Sequence, residues 1–295
     1  MRDVARESGV SPATVSFVMN DTPGQTISEE TRARVRRAAT DLGYAPHPIA
    51  RALREGSSRI VVLDIGPLPR TPVLDGFIRG LDDELSAAGY GLVVTFSGEG
   101  HASTAAAVAA VRPRATIDLA AFYAHPEVGV PDGGLRDGMA AHYFAQVKYL
   151  HDRGHREIVV AAPRERGLLL EVMVDFVRAA ARRLGMPSPG VLSIDPGGSD
   201  ALAERLGSAT AVAALTDTLA FAVLAALQDE GVLVPDDVAV IGWGDSEEAA
   251  LWRPALTTIS IDARMYGRRM ARQVLGLPVR DVSPAPTRIV QRRSA

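Results

Sequence analysis

Asp3-Val4-Ala5, Gly9-Val10-Ser11, Thr14-Val15-Ser16 and Asn20 punctuate the first twenty residues, and their spacing decides how the chain begins. Residues 3–8 read as a short helix with Val4 and Ala5 inward, stopped at Gly9, whose lack of a Cβ opens the turn Gly9-Val10-Ser11. Ser11-Pro12 restarts a helix, because serine caps well and proline is tolerated at the first helical position. Val15, Val18 and Met19 then give that helix one apolar face. A third helix opens at Ser28, where Glu29 and Glu30 suit the positive end of its dipole; its stripe is Val35, Ala38, Ala39 and Leu42, and it ends at Gly43. Three short helices with a glycine turn between the first two follow the helix-turn-helix plan, although geometry alone leaves a generic three-helix bundle equally open.

The wider string narrows the choice. With Ile27-Ser28, Thr31-Arg32, Val35 and Leu42-Gly43-Tyr44-Ala45-Pro46 added, residues 1–45 resemble the DNA-binding domain of the LacI family of transcription regulators. The resemblance implies that the second helix lies in the major groove, with Ser11, Thr14, Ser16 and Asn20 on phosphates and Pro12, Ala13 and Phe17 at base edges. Family members usually carry arginine where this chain has Phe17. Arginine pairs with guanine in a bidentate way; phenylalanine can only touch a thymine methyl or pack on sugar. Residues 46–56, with Ala50-Arg51-Ala52-Leu53-Arg54, resemble the family's hinge helix, in which Ala52 and Leu53 would meet the minor groove and the leucine would wedge between base steps. The segment has high helix propensity but is too short to be stable alone, which implies folding on DNA.

From residue 57 the texture changes to apolar strands alternating with amphipathic helices, the pattern of a parallel α/β sheet. Strands are expected at 59–65, 91–96, 117–122, 157–162, 191–194, 211–215 and 238–243. Helices are expected at about 73–88, 103–111, 137–152, 170–184, 201–206, 218–228 and 262–275. The fold class is α/β: a three-helix head, a hinge, and a two-lobed core resembling periplasmic binding proteins. The lobes are placed at 57–136 with 262–280 and at 137–261 with 281–295, and a last strand at 287–291 joins the second. Between Phe122 and Gly138 there is little room for the helix and strand the first lobe should hold.

A binding cleft is expected between the lobes. Sugar-binding members use an arginine three residues before a Gly-aromatic pair, an Asn-Asp pair, and an acid after Gly-aromatic; the matching positions here are Val172 (before Asp175-Phe176), Thr216-Asp217, and Gly244 followed by Asp245, beyond Trp243. Losing three groups that would pair hydroxyls argues against a sugar held in the usual way. Asp217 reads equally as a ligand contact or a helix cap.

Other chemistries find little support. His151 and His155 have metal-pair spacing, but Gly154 breaks the helix between them. Gly24, Gly98-Glu99-Gly100 and Gly133-Gly134 follow no strand-to-helix phosphate pattern, and no catalytic grouping can be defended. No cofactor or metal is expected. The absence of cysteine excludes disulfides and thiolate metal sites. Formal net charge is −3, and eight arginines face seven acids over residues 1–56, so charge alone leaves DNA binding undecided. With no long apolar run and no signal-like start, the expected setting is the cytoplasm. The expected partners are a pseudo-palindromic double-stranded operator, a second copy of the chain and a small-molecule effector. A regulator tuned by a protein partner, a solute-binding protein and an enzyme on an α/β core are the alternatives.

Overall fold

The computed structural model describes residues 1–19, 24–44, 58–66, 70–96, 102–119, 135–164, 167–195, 197, 201–280 and 286–295. The chain falls into two compact units, Met1–Arg59 with Ala107–Arg114, and Ile60–Ala106 with Ala115–Ala295.

The first unit contains helices α1 (Arg2–Ser8), α2 (Pro12–Met19) and α3 (Glu29–Asp41). Gly9 ends α1 in the left-handed conformation, at φ 65°, and its N–H returns to the carbonyls of Ala5 and Arg6. Ser11 Oγ accepts the Thr14 N–H at 3.1 Å, and Ser28 Oγ accepts the Thr31 N–H at 3.3 Å, so both expected serine caps are made. Val4, Ala5, Val15, Val18, Val35, Ala38 and Ala39 form one small core, flanked by Val10, Met19, Ile27 and Tyr44. Leu42 departs from the expected stripe. It sits at the C-cap, where the chain leaves the helical path, and is 47% exposed. Arg34 Nε donates to the Ser8 carbonyl at 2.9 Å, tying α3 to the orphan end of α1.

In the second unit, β1 (Ile60–Asp64), β2 (Gly91–Thr95) and β3 (Ala115–Asp118) form a parallel sheet in the order β2-β1-β3. A second parallel sheet has the order β5-β4-β6-β7, from β4 (Ile158–Ala162), β5 (Gly190–Ser193), β6 (Ala211–Ala214) and β7 (Ala239–Ile241). These strands are short and largely alanine and valine, and β6 and β7 are buried along their whole length, as a sheet covered on both faces requires. The expected elements fall within a few residues of the observed ones, except that β3 ends at Asp118 and the stretch from 120 to 134 lies outside the described residues. Beside the two parallel sheets lies a short pair that was not expected: β8 (Thr258–Ser260) and β9 (Arg288–Val290) run antiparallel. Thr257, just before β8, bridges Ile241 in the parallel sense, so β8 continues beside β7 while pairing antiparallel with β9.

Helix Ala263–Val274 packs back on helix Pro72–Ala87, far from it in sequence. Glycine makes the crossing close. A Cβ at Gly80 would overlap the Arg264 carbonyl, and one at Gly267 would overlap the Phe77 carbonyl. Around the crossing, Arg264 reaches Asp83 at 2.7 Å, while Arg268 and Arg272 reach Glu84 at 3.1 and 3.4 Å. Gly80→Ala should therefore force the helices apart and lower stability by about 1–3 kcal/mol in denaturant unfolding. Gly167→Ala, at a helix start with φ −151° and open space for a Cβ, should change it by a few tenths. Equal effects at the two positions would show that the crossing is not set by glycine contact.

Candidate functional site

The exposed start of α2 is the first candidate. Ser11, Pro12 and Ala13 are exposed; Thr14, Ser16 and Phe17 are half-buried. Ser11 Oγ and Thr14 Oγ1 stand 2.9 Å apart, a hydroxyl pair at a helix N-terminus, and α2 carries no charge in its first or last turn. Such a surface can approach a polyanion closely and offer hydroxyl and backbone donors. Asn20, Ala52 and Leu53, together with the expected hinge at 46–56, lie outside the described residues.

A cleft in the second unit is the other candidate. It opens at the C-terminal ends of parallel strands, where α/β sheets characteristically take ligands. The cavity is about 330 Å³. On one side stand Thr71, Pro72 and Val73, where β1 leads into helix Pro72–Ala87. On the other are Thr216, Asp217, Thr218 and Phe221 of helix Asp217–Asp229, with Trp243, Gly244, Ser246 and Glu248 after β7. Thr71 Oγ1 and Thr216 Oγ1 each cap a helix, accepting the N–H of Leu74 and of Leu219, both at 3.2 Å.

Asp217 is therefore not the cap; Thr216 is. The Asp217 carboxylate is turned inward and buried, accepting the Thr258 hydroxyl at 2.5 Å and the Ser246 N–H at 2.7 Å. Its own N–H donates to the Trp243 carbonyl at 3.1 Å. Burial pushes its pKa above the ordinary 3.8, and neighbouring Asp245 adds to this, against the hydrogen bonds that favour the charge. Gly242 leaves the space: a Cβ there would overlap Asp217 Oδ1.

Trp243 lies flat on Tyr143 (5.3 Å, 8°), and Tyr143 stacks in turn with Phe176. Gln146, fully buried on helix Leu135–Asp152, donates its amide to the carbonyls of Ala214 at 2.8 Å and Gly242 at 3.0 Å. It thereby fixes the ends of both strands that lead into the cleft. Behind Trp243, His142 bonds Thr287 Oγ1 at 2.7 Å and lies 3.5 Å from the Tyr266 hydroxyl. The His142 ring is 2% exposed, and burial lowers its pKa from 6.5 to about 4.

Of the six cleft positions expected from sequence, Thr216, Asp217, Trp243 and Gly244 line the cavity. Val172 and Asp245 are not among its lining residues. Val172 sits half-buried on helix Leu168–Arg183, and Asp245 is turned to Arg292 at 2.8 Å. Thr71, Pro72, Val73, Thr218, Phe221, Ser246 and Glu248 were missed. They lie on the connections and helix starts that follow β1, β6 and β7, the region to which the rule that ligands sit beyond strand ends points. His155 bonds Thr210 Oγ1 and His151 lies 3.6 Å from Asp152; among the described residues no group of three metal-ligating side chains occurs. No helix among them is long and apolar enough to cross a membrane.

Comparison with known proteins places these two sites in a context. Residues 1–47 match the family described as bacterial regulatory proteins, lacI family, and residues 147–295 match the periplasmic binding protein-like domain. The HTH-type transcriptional repressor CytR of Escherichia coli K12 is 28% identical, over 91% of this chain and 86% of its own. The HTH-type transcriptional repressor PurR of Vibrio parahaemolyticus is also 28% identical, over 91% and 88%. In structure, the lac repressor dimer bound to operator and the anti-inducer ONPF superposes with a TM-score of 0.75 at 22% identity, covering 99% of this chain and 97% of that one. The shared fold is established by that likeness.

The two buried titrating groups act on stability with opposite sign. For His142, whose folded pKa is lowered, the unfolded chain binds the extra proton between pH 6.5 and 4, so stability is lost as pH falls through that window. For Asp217, whose folded pKa is raised, stability is lost as pH rises above 3.8. His142→Phe should flatten the fall between pH 7 and pH 4 by about 3 kcal/mol, read from denaturant midpoints. Parallel profiles for the two proteins would mean that His142 takes up its proton at the same pH in the folded and unfolded chains.

Proposed function

The chain belongs to the LacI family of bacterial regulatory proteins, and on that footing we propose that this DNA-binding transcription regulator is a repressor working as a homodimer on an inverted-repeat operator. The observation that carries the reading is the α2 surface: small hydroxyl-bearing residues exposed at a helix N-terminus, within the segment that matches the family's DNA-binding domain. Ser11, Thr14, Ser16 and Asn20 are assigned to phosphates, and Pro12, Ala13 and Phe17 to base edges. Residues 46–56 are assigned to a hinge that places Ala52 and Leu53 in the minor groove. Dimerisation follows from the two-fold symmetry of such operators, and the cytoplasm is the compartment in which they are met.

The cleft is assigned to a small-molecule effector that alters DNA affinity. Where sugar-binding members present an arginine, an asparagine and an acid, this chain has Val172, Thr216 and Gly244, so the usual sugar grip is not made. CytR and PurR, the relatives named above, are transcriptional repressors, which supports repression over the solute-binding and enzymatic alternatives.

Footprinting with the purified protein should show protection of a pseudo-palindrome, with affinity falling steeply as salt rises. Protection of a non-repeated site by a monomer would overturn the dimer. Phe17→Arg should move the selected consensus toward guanine at one position of each half-site, by about 1–3 kcal/mol of discrimination. An identical consensus from both proteins would show that residue 17 faces no base.

A further inference from the structure

The helix that the head presents is defined by the chemistry α2 does not carry. Its eight residues, Pro12–Met19, include no guanidinium, ammonium, amide or carboxylate group. Val15 and Val18 belong to the small core of this unit, and Met19 packs against it. At 3.6 residues per turn, Ala13 and Phe17 lie one turn apart on the side of α2 opposite that stripe, with Pro12 and Ser16 on one flank and Thr14 on the other. Pro12 and Ala13 are exposed and Phe17 is half-buried. Among the described residues, Phe17 is not one of the apolar side chains packed on the core.

In a helix-turn-helix the N-terminal residues of the second helix meet base edges in the major groove. Selective hydrogen bonding there calls on Arg or Lys for guanine, Asn or Gln for adenine and an acid for cytosine. α2 has none of these. Its hydroxyls do not replace them. Ser11 Oγ accepts the Thr14 N–H at 3.1 Å and stands 2.9 Å from Thr14 Oγ1. A hydroxyl also both donates and accepts, so it fits any base edge and separates none. One feature of the groove remains that an apolar side chain can tell apart, the C5-methyl group of thymine. Ala13 and Phe17 offer it a methyl group and an aromatic ring, and burying one such group changes an affinity by about fourfold.

We propose that α2 reads methyl groups rather than whole bases: the half-site is specified by C5-methyls in the major groove, met by Pro12, Ala13 and Phe17, so that 5-methylcytosine stands in for thymine. Thymine and 5-methylcytosine differ at C4, an acceptor in one and a donor in the other, and the hydroxyls of α2 take either. Methylation of a half-site cytosine would then create affinity that plain cytosine lacks. The inference rests on the reading of the head as an operator-binding module with α2 in the major groove.

The test uses the full chain, an operator selected from random-sequence duplexes, and fluorescence-anisotropy titrations of chemically edited versions of that operator. Each half-site thymine is replaced in turn by deoxyuridine, which removes the methyl and nothing else, and by cytosine or 5-methylcytosine paired with guanine. At one or more positions deoxyuridine should weaken binding about three- to fivefold, cytosine at least as much, and 5-methylcytosine should stay within about twofold of thymine. Phe17→Ala or Ala13→Gly should weaken binding to the thymine operator and erase the preference for thymine over deoxyuridine at the position it serves. Thermal melting reports whether each variant is folded, and the edited operators decide the question without either variant. Deoxyuridine equal to thymine throughout, 5-methylcytosine as weak as cytosine, or a methyl preference unchanged in both folded variants would overturn the methyl reading and leave operator binding intact. Selection of no sequence at all would overturn the operator reading and this inference with it.

Discussion

A carboxylate buried without an ion pair among the described residues is the constraint on which the cleft depends. Removing Asp217 from water is unfavourable by several kcal/mol, and the hydroxyl of Thr258 and the N–H of Ser246 offset only part of that, which is why its pKa stays raised. In return, three pieces of chain far apart in sequence are joined at one group: helix Asp217–Asp229, the turn after β7, and strand β8. Gly242 N–H to the Thr257 carbonyl and Gly244 N–H to the Ile259 carbonyl, both at 2.9 Å, close the same junction from the backbone side. Gly244 has φ 131°, a conformation other residues rarely adopt, so the turn that carries Trp243 and Ser246 needs its glycine as much as its acid.

Helix Leu135–Asp152 transmits that junction outward. Gln146 grips the strand ends, Tyr143 carries the Trp243 ring, and His142 bonds Thr287 just before β9. Gly138 on the same helix admits Tyr266, since a Cβ there would overlap the phenol. Tyr266 belongs to the helix that crosses Pro72–Ala87 through Gly80 and Gly267. Glycine inside a helix costs about 1 kcal/mol of propensity. Here it allows backbones to approach where any side chain would hold them apart.

Much of this was legible in the sequence, and the rest was not for identifiable reasons. The head could be read because its caps and glycine turn are local: Ser11, Ser28 and Gly9 act on residues within four positions. The α/β alternation could be read because buried parallel strands are apolar runs. The Thr216-Asp217 pair was located, but which residue caps and which turns inward depends on Thr258 and Ser246, partners that no local pattern supplies. Strand β8 was missed because three residues next to Pro254 make no periodic signal, and its partner β9 is a long-range one. Gly80 and Gly267 read in sequence as weak points in helices; only the crossing reveals them as contacts.

The arrangement of the lining sets what an effector can do. A ligand shifts an equilibrium between two arrangements only by the difference in its affinity for them. A molecule bound to the Asp217–Phe221 and Trp243–Glu248 segments alone would hold one sheet and bias nothing. Thr71, Pro72 and Val73 come from the turn after β1, in the other sheet, so the ligand that fills the cavity touches both. Val73 Cγ2 lies 3.3 Å from the position a Cβ would take on Gly244, so the two walls meet across the turn that holds Trp243. A methyl group on Gly244 would be met by a shift of a few tenths of an ångström in the Val73 side chain, so the two walls are near neighbours at the edge of the cavity. A ligand gains leverage here only by touching both walls at once.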